Sequence, residues 1–268
     1  MKKTISNAEY RHTKSYSRSD LFNLSKSPAH FKYRLENPEP ETPALAFGIA
    51  FHAYVLEPDK FFQEYIIVPK IDKRTKEGKE ISQKINESGK IPLSEELFAC
   101  IKSMAESIMN NKYAAMLIKN GEHEQSYYWT DKLTGIPLKC RPDCRTDLKT
   151  ISVIVDLKTT ENAETESFMR SCIKYGYDLQ AAMYTQGVEF VEKKPHKFVF
   201  IAVEKSPPYV CNVLEADDFI IKKGTQDLTG YLYTLKKCLE TDNWYGYNGE
   251  NGNPNVISLP SWLAKEYE

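Results

Sequence analysis

The chain has 268 residues, 41% hydrophobic and 27% charged, with a formal net charge of −1. That length suits one large domain or a core with an embellishment, and the near-neutral balance excludes a global basic field, so any nucleic-acid contact must rest on local patches. The six cysteines contain no CxxC pair and no finger spacing, the N-terminus lacks the apolar core of a signal peptide, and no stretch approaches a membrane span; a cytoplasmic protein with reduced thiols, not membrane-associated, is expected.

Residues 1–16 read as an irregular lead-in. Ser17, followed three residues later by Asp20, has the form of a capping box. Ser27-Pro28 marks a second helix start, with Pro at the first helical position. A breaker segment over 38–43 precedes an apolar helix over 44–56, which Pro58 ends. Gly48 and His52 share one face of that helix. The glycine lets a backbone or ligand approach, and His52 is the lone polar group of the stretch. Alone, it is most simply a buried histidine bonded to a neighbour; within a site it is a metal ligand or orienter. The run 70–79 holds Arg74, Lys76 and Lys79, and by itself reads as a solvated loop. Residues 75–120 are predicted mainly helical, with 95–109 the clearest amphipathic stretch.

The pattern turns to β over 124–158. A hairpin is predicted from a strand over 137–143, a polar turn over 144–150 and a β-branched apolar strand over 151–158. Helices follow over 159–175, with acids near the N-terminus as the helix dipole favours, and over 177–191. Strands over 197–204 and 209–214 and a helix over 219–239 close the body. The tail carries Trp244, Tyr245, Tyr247 and Trp262, enough aromatic surface to pack on it. The expected fold class is α/β (α+β mixed): a central mixed sheet flanked by helices, in the order α-α-βββ-α-α-ββ-α. The chain reads as a single domain, 1–268, with a mostly helical part (1–120), a core (121–240) and the tail (241–268).

The chemistry concentrates at Arg141-Pro142-Asp143 and Asp156-Leu157-Lys158. Side chains alternate along a strand, so Asp156 and Lys158 face one side and Leu157 the other. The hairpin brings Asp143 to the same sheet edge. Two uncompensated carboxylates repel, and a hard cation such as Mg²⁺, which prefers oxygen ligands, resolves the repulsion. Such a cation makes water more acidic, while a lysine can orient water or offset charge on a pentavalent phosphorus. The pattern therefore points to phosphodiester cleavage. An Asp-x-Lys triplet alone is common on surface strands, so companions must carry the case. Gln180 and Tyr184 share a helix face and could reach a phosphate, although by themselves they read as an ordinary half-buried helix.

These companions occur in the order of the RecB-type branch of the PD-(D/E)xK nucleases. More narrowly, the chain resembles the nuclease domains of the RecE (exonuclease VIII) type, nearly end to end. The matching pieces are Ser17-Arg18-Ser19-Asp20-Leu21, Phe47-Gly48-Ile49-Ala50-Phe51-His52, Val55-Leu56-Glu57-Pro58 with Phe61, and Arg74 with Gly78-Lys79-Glu80. They continue through Cys140-Arg141-Pro142-Asp143, Asp156-Leu157-Lys158-Thr159-Thr160, Gln180, Leu259-Pro260-Ser261-Trp262 and Lys265-Glu266-Tyr267. The resemblance implies a PD-(D/E)xK core and a processive 5′-to-3′ exonuclease on double-stranded DNA ends, leaving 3′ overhangs. It implies Mg²⁺, with Mn²⁺ as substitute, a homotetrameric ring, and a RecT-type single-strand annealing partner. By position, His52, Asp143, Asp156 and the Leu157 carbonyl would bind metal and Lys158 would be the catalytic lysine. Gln180 and Tyr184 would position the phosphate or its water. Arg74, Lys76, Lys79, Arg141 and Thr159 are the candidate DNA contacts.

The chain departs from its relatives in places. Asp156 stands where many relatives have Glu. Ser27, not Cys, precedes Pro28, and no C-terminal Cys trio exists, so no iron–sulfur cluster is expected. Two alternatives stay open at this level: an endonuclease or single-strand nuclease on the same core, and a DNA-binding module with inactive acids.

Overall fold

The computed structural model describes the chain apart from residues 39, 70–73, 266 and 268 and the side chain of residue 77. The first four of the basic run 70–79, and Glu266 of the C-terminal motif, thus lie outside the described residues. The N-terminal part comprises β1 (Lys2–Lys3), α1 (Asn7–His12), α2 (Arg18–Phe22), a 3₁₀ turn (Asn23–Ser25), α3 (Pro28–Glu36), α4 (Pro43–Leu56), α5 (Pro58–Glu64), β2 (Tyr65–Val68), α6 (Lys76–Ser88), β3 (Ile91–Ser94), α7 (Glu95–Asn110) and α8 (Lys112–Lys119). The remainder comprises β4 (Glu122–His123), β5 (Ser126–Thr130), β6 (Pro137–Cys140), β7 (Cys144–Asp147), β8 (Ser152–Thr160), α9 (Thr165–Tyr175), α10 (Tyr177–Glu192), β9 (His196–Glu204), β10 (Cys211–Glu215), α11 (Asp218–Thr241) and α12 (Ser261–Ala264).

The main sheet has the order β10-β9-β8-β7-β4, with β8 and β9 parallel and the other pairs antiparallel. The expected central mixed sheet flanked by helices is therefore what the chain forms. Its pleat sorts the core into two layers. Ile154, Phe198, Phe200 and Ala202 join Leu179, Met183, Leu228 and Leu232 of α10 and α11. Val153, Val155, Leu157, Val199 and Ile201 join Phe51, Ile101, Met104 and Leu117 of α4, α7 and α8. Burial on both faces explains why β8 reads as a continuous apolar run up to its charges.

Both sequence-level caps form. Ser17 and Asp20 make a reciprocal capping box, and the Ser27 hydroxyl accepts from the His30 N–H with Pro28 in the first turn. Pro58 does more than end a helix: it opens α5, with Glu57 as the junction. Residues 1–16 are not irregular. Lys2 and Lys3 pair with β5, and Ser6 with Glu9 caps α1. The elements are too short and polar to show a period. The helical reading of 75–120 misses β3, which pairs in parallel with β2.

The predicted hairpin is corrected. The strand antiparallel to β8 is β7, with Cys144 opposite Val155, whereas β6 pairs with β5 in a separate sheet. Pro142 has no N–H for a ladder, so the chain changes sheets at 141–143 and Asp143 sits at the crossing. Cys144 accordingly lies on a strand, not in a turn. The helix expected from 159 begins at Thr165, because β-branched Thr159 and Thr160 extend β8 alongside β9 as far as Glu204. In the tail, Trp244 stacks on Phe31 at 5.8 Å and 7°, while Val256, Ile257 and Trp262 are exposed.

Candidate active site

The C-terminal end of β8 presents Asp156 and Lys158 on the face toward α10 and Leu157 on the other, as the pleat requires. Asp156 is buried. The Gln180 amide donates to its Oδ1, and the Lys158 ammonium ion-pairs with its Oδ2. That second oxygen has no hydrogen-bond-aligned donor. Burial raises the Asp156 carboxyl above the usual carboxylate range; Lys158 opposes the rise and Asp143 adds to it.

Asp143 arrives from the crossing between sheets. Its Oδ2 accepts from the Leu157 backbone N–H at 2.6 Å and lies 3.1 Å from His52 Nε2. His52 projects from α4, and its Nε2 is also 3.0 Å from the Leu157 carbonyl oxygen. Its Nδ1 stands 2.8 Å from the Gly48 carbonyl. Both ring nitrogens thus face only acceptors, the arrangement of a doubly protonated imidazolium. Burial alone would lower the His52 pKa, but the Asp143 carboxylate and the Gly48 carbonyl outweigh it and lift the pKa to about 9. Asp143 is held below its ordinary value: burial pushes it up, and the charges of His52 and Lys158 with the Leu157 N–H pull it down further. The Gly48 carbonyl orients the ring, and the glycine lines the cleft beside His52, where a Cβ would meet nothing within 4 Å.

The structure brings His52, Asp143, the Leu157 carbonyl, Asp156, Lys158 and Gln180 to one end of β8. Tyr184 lies behind them, its ring packed at 6.4 Å from Phe198, and burial holds its hydroxyl far above the ordinary value, with Asp156 and Asp143 contributing. Thr159 is half-buried beside Lys158. Arg141, a candidate DNA contact, already has partners within the chain: Nε donates to Ser126, Nη1 to Asn7 and Nη2 to the Ile5 carbonyl, and the guanidinium lies 4.4 Å from the Tyr10 ring centroid. It clamps the N-terminal segment. Arg74, Lys76 and Lys79 are exposed at and before the start of α6.

Sequence alone assigns no site role to three residues, although Arg18 stands in a matched motif. Glu124, in the left-handed region at φ 51°, donates its backbone N–H to the Asp143 carbonyl at 3.1 Å. Burial and then the Asp143 charge push its carboxyl up to about 8. A non-glycine residue in that region is strained, and such strain concentrates at functional sites. Tyr177 places its ring 4.7 Å from Lys158 Nζ. Arg18 reaches the same ring at 5.8 Å and donates from Nε to the Gly176 carbonyl at 3.2 Å. No spacing rule signals these contacts; only the positive φ of Gly176, where a Cβ would strike Phe22 at 2.4 Å, marks the tight turn before α10.

The donor set suits a hard divalent cation: two carboxylates, a backbone carbonyl and one imidazole. The buried, incompletely bonded Asp156 Oδ2 supports that fit. In the arrangement described, His52 and Asp143 contact each other directly, and no three His, Cys, Asp or Glu side chains among the described residues stand as a ready cage. Loss of the His52 Nε2 proton would free that nitrogen, Asp143 Oδ2 and the Leu157 carbonyl together.

No curated protein matches the chain. Among solved structures it is similar to a candidate exonuclease from Eubacterium rectale, with a TM-score of 0.62 at 15% identity over 98% of each chain, a likeness of fold. It also aligns with the protein SSO0001 at a TM-score of 0.37 and 13% identity, over 83% of this chain and 80% of that one, too distant to carry an argument. A family model described as a PDDEXK-like domain of unknown function (DUF3799) matches residues 17–252. The chain belongs to that PDDEXK-like family.

Proposed function

We propose that the chain is a divalent-metal-dependent nuclease, and more narrowly a 5′-to-3′ exonuclease on double-stranded DNA ends that leaves 3′ overhangs for recombination of the phage type. The observation that carries the reading is the pairing of Lys158 with buried Asp156, beside Asp143, the Leu157 carbonyl and His52. These groups come from three separate stretches of chain, and no structural need explains gathering them at one strand end.

The residues divide the chemistry. A cation held by Asp143, Asp156, the Leu157 carbonyl and His52 would act as a Lewis acid on the scissile phosphate and ease the ionisation of water. Lys158 sits where it can orient that water or offset charge growing on the phosphoryl oxygens. Gln180 holds Asp156 in place through Oδ1. The Gly48 carbonyl fixes the His52 ring, as outer partners do for ligating histidines. Hydrolysis forms a bond from water oxygen to phosphorus and breaks one phosphorus–oxygen ester bond, with a proton returned to the leaving oxygen.

Mg²⁺, with Mn²⁺ as substitute, fits the oxygen-rich donors. A homotetrameric ring and a RecT-type annealing partner belong to the same reading, supported by the sequence resemblance alone; enclosure would hold DNA despite a net charge of −1. Digestion of linear duplex labelled separately at its 5′ and 3′ ends, with Mg²⁺ or with EDTA, tests the function. Metal-dependent release of the 5′ label first, with sealed circles left intact, is expected. Cutting of sealed circles would make the chain an endonuclease instead, and no cleavage in any metal would leave a binding module.

A further inference from the structure

Two clefts open on either side of Lys158. One, about 450 Å³, is lined by His52, Glu57, Glu64 and Glu124 together with Arg11 and Lys60. The other, about 570 Å³, is bordered by α4, α7, α9 and the end of β8. Both share Ala44, Lys158, Thr159 and Tyr177, so they form one groove running past the catalytic lysine.

The lobes differ in chemistry. The first is rich in acids and borders the metal ligands. The second is lined by the rings of Phe47, Phe168, Tyr175 and Tyr177 and by the hydroxyl side chains of Thr159, Thr160, Ser167 and Ser171. Its cations are engaged: Lys158 with Asp156, Lys205 with Glu161. Beyond Lys158, which borders the scissile phosphate, such a lobe offers most to a flat, partly polar group. Its volume lies in the range of pockets that enclose one small ligand. That is room for about one or two nucleotides of a single strand and not for a duplex.

We propose that this lobe is a nucleoside subsite, in which a base of the DNA strand next to the scissile phosphate stacks on Tyr175. The proposal rests on the nuclease reading of the adjoining site. Tyr175 ends α9 and is 46% exposed. Its ring lies 5.8 Å from that of Tyr177. Its backbone is fixed, because Arg18 donates from Nη2 to the Tyr175 carbonyl and from Nε to that of Gly176. The Ser17–Leu21 motif thereby gains a purpose: capped by Ser17, α2 presents Arg18 to the turn that carries both rings. Lys174, which does not line the lobe, covers the Tyr175 ring at 5.2 Å. An aromatic ring on a fixed helix end suits any base, since every base has a π-face.

The test is equilibrium binding of the full chain, in Ca²⁺ without turnover, to duplex ends in which each terminal nucleotide in turn is replaced by an abasic site. Tyr175→Ala is expected to weaken binding of the intact end roughly 5- to 150-fold, the range of one base–aromatic stack. An abasic site at one position should cost the wild type the same factor, and the two changes together should cost no more than either. Tyr175→Trp should retain affinity, and Ser171→Trp, which fills the lobe from α9, should weaken it independently. Additive losses at every position, or unchanged affinity in both Tyr175→Ala and Ser171→Trp, would overturn the subsite. The same preparations assayed for cleavage in Mg²⁺ judge the nuclease reading separately: non-additive binding without cleavage would sink that reading and leave the subsite standing.

Discussion

The ammonium of Lys158 lies 4.7 Å from the centre of the Tyr177 ring while paired with Asp156. The ring face attracts the cation, an effect worth about 0.5–2 kcal/mol, and so fixes the lysine at the strand end. Tyr177 is thus a positioning residue. Tyr177→Leu should lower kcat on linear duplex by roughly 2- to 30-fold, and Tyr177→Phe, which keeps the ring, should restore it. A Phe variant as slow as the Leu variant would assign the effect to the hydroxyl.

Lys158→Ala should lower kcat at least about 100-fold, the scale of a lost proton-transfer or charge-stabilising group, with DNA affinity in Ca²⁺ changed only a few-fold by comparison. Near-wild-type turnover in that variant would remove Lys158 from the mechanism.

His52 carries two protons when it faces Asp143 and the Leu157 carbonyl, with a pKa of about 9. A metal needs the neutral ring, so binding must release a proton. Calorimetry with Mn²⁺ in buffers of different ionisation enthalpy should find about one proton released near neutral pH, and affinity should rise with pH until about 9. His52→Ala should abolish the proton release. An affinity flat from pH 6.5 to 9 in the wild type would contradict the assignment.

Metal-free stability should fall as pH rises. The folded His52 pKa is raised from 6.5 to about 9, so its contribution is complete below 6.5 and lost through 9. Glu124, raised from 4.5 to about 8, keeps a proton in the folded state that the unfolded chain gives up, so ionisation costs stability between those values. Melting in EDTA should therefore drop from pH 6 to 9, Glu124→Gln should flatten part of the drop, and saturating Mn²⁺ should reverse it. A melting temperature that climbs over that range would show the signs to be wrong.

The floor of the site depends on close helix packing. A Cβ on Gly224 would lie 2.0 Å from the Asp178 carbonyl oxygen, whereas on Gly230 of the same helix it would meet nothing within 4 Å. Gly224→Ala should destabilise by about 1–3 kcal/mol through α10, and Gly230→Ala should stabilise by about 0.4–1 kcal/mol. Equal effects in thermal melts would refute this account of the α10–α11 contact.

The fold and much of the site are legible in the sequence because they follow local rules. The 3.6 period marks α7, the buried run marks β8, and the alternation after Val155 places Asp156 with Lys158. Pairing is not local, and that is where the reading strays. Asp143 reaches Leu157 from a sheet crossing, not from a hairpin partner, because Pro142 cannot enter a ladder. Glu124 and Tyr177 are invisible, and Arg18 has no legible role despite its matched motif, for the same reason: each matters through a contact with a residue distant in the chain. Arg141 shows the same limit from the other side: its motif gives no sign that it bonds Asn7 and Ser126.

The decisive measurement is anomalous diffraction at the manganese edge from crystals grown with Mn²⁺. A peak ligated by Asp143, Asp156 and the Leu157 carbonyl with the His52 ring beside it, lost in Asp143→Asn, is the expected result. Manganese bound elsewhere, in an enzyme that still cuts DNA after Asp143→Asn, would contradict it.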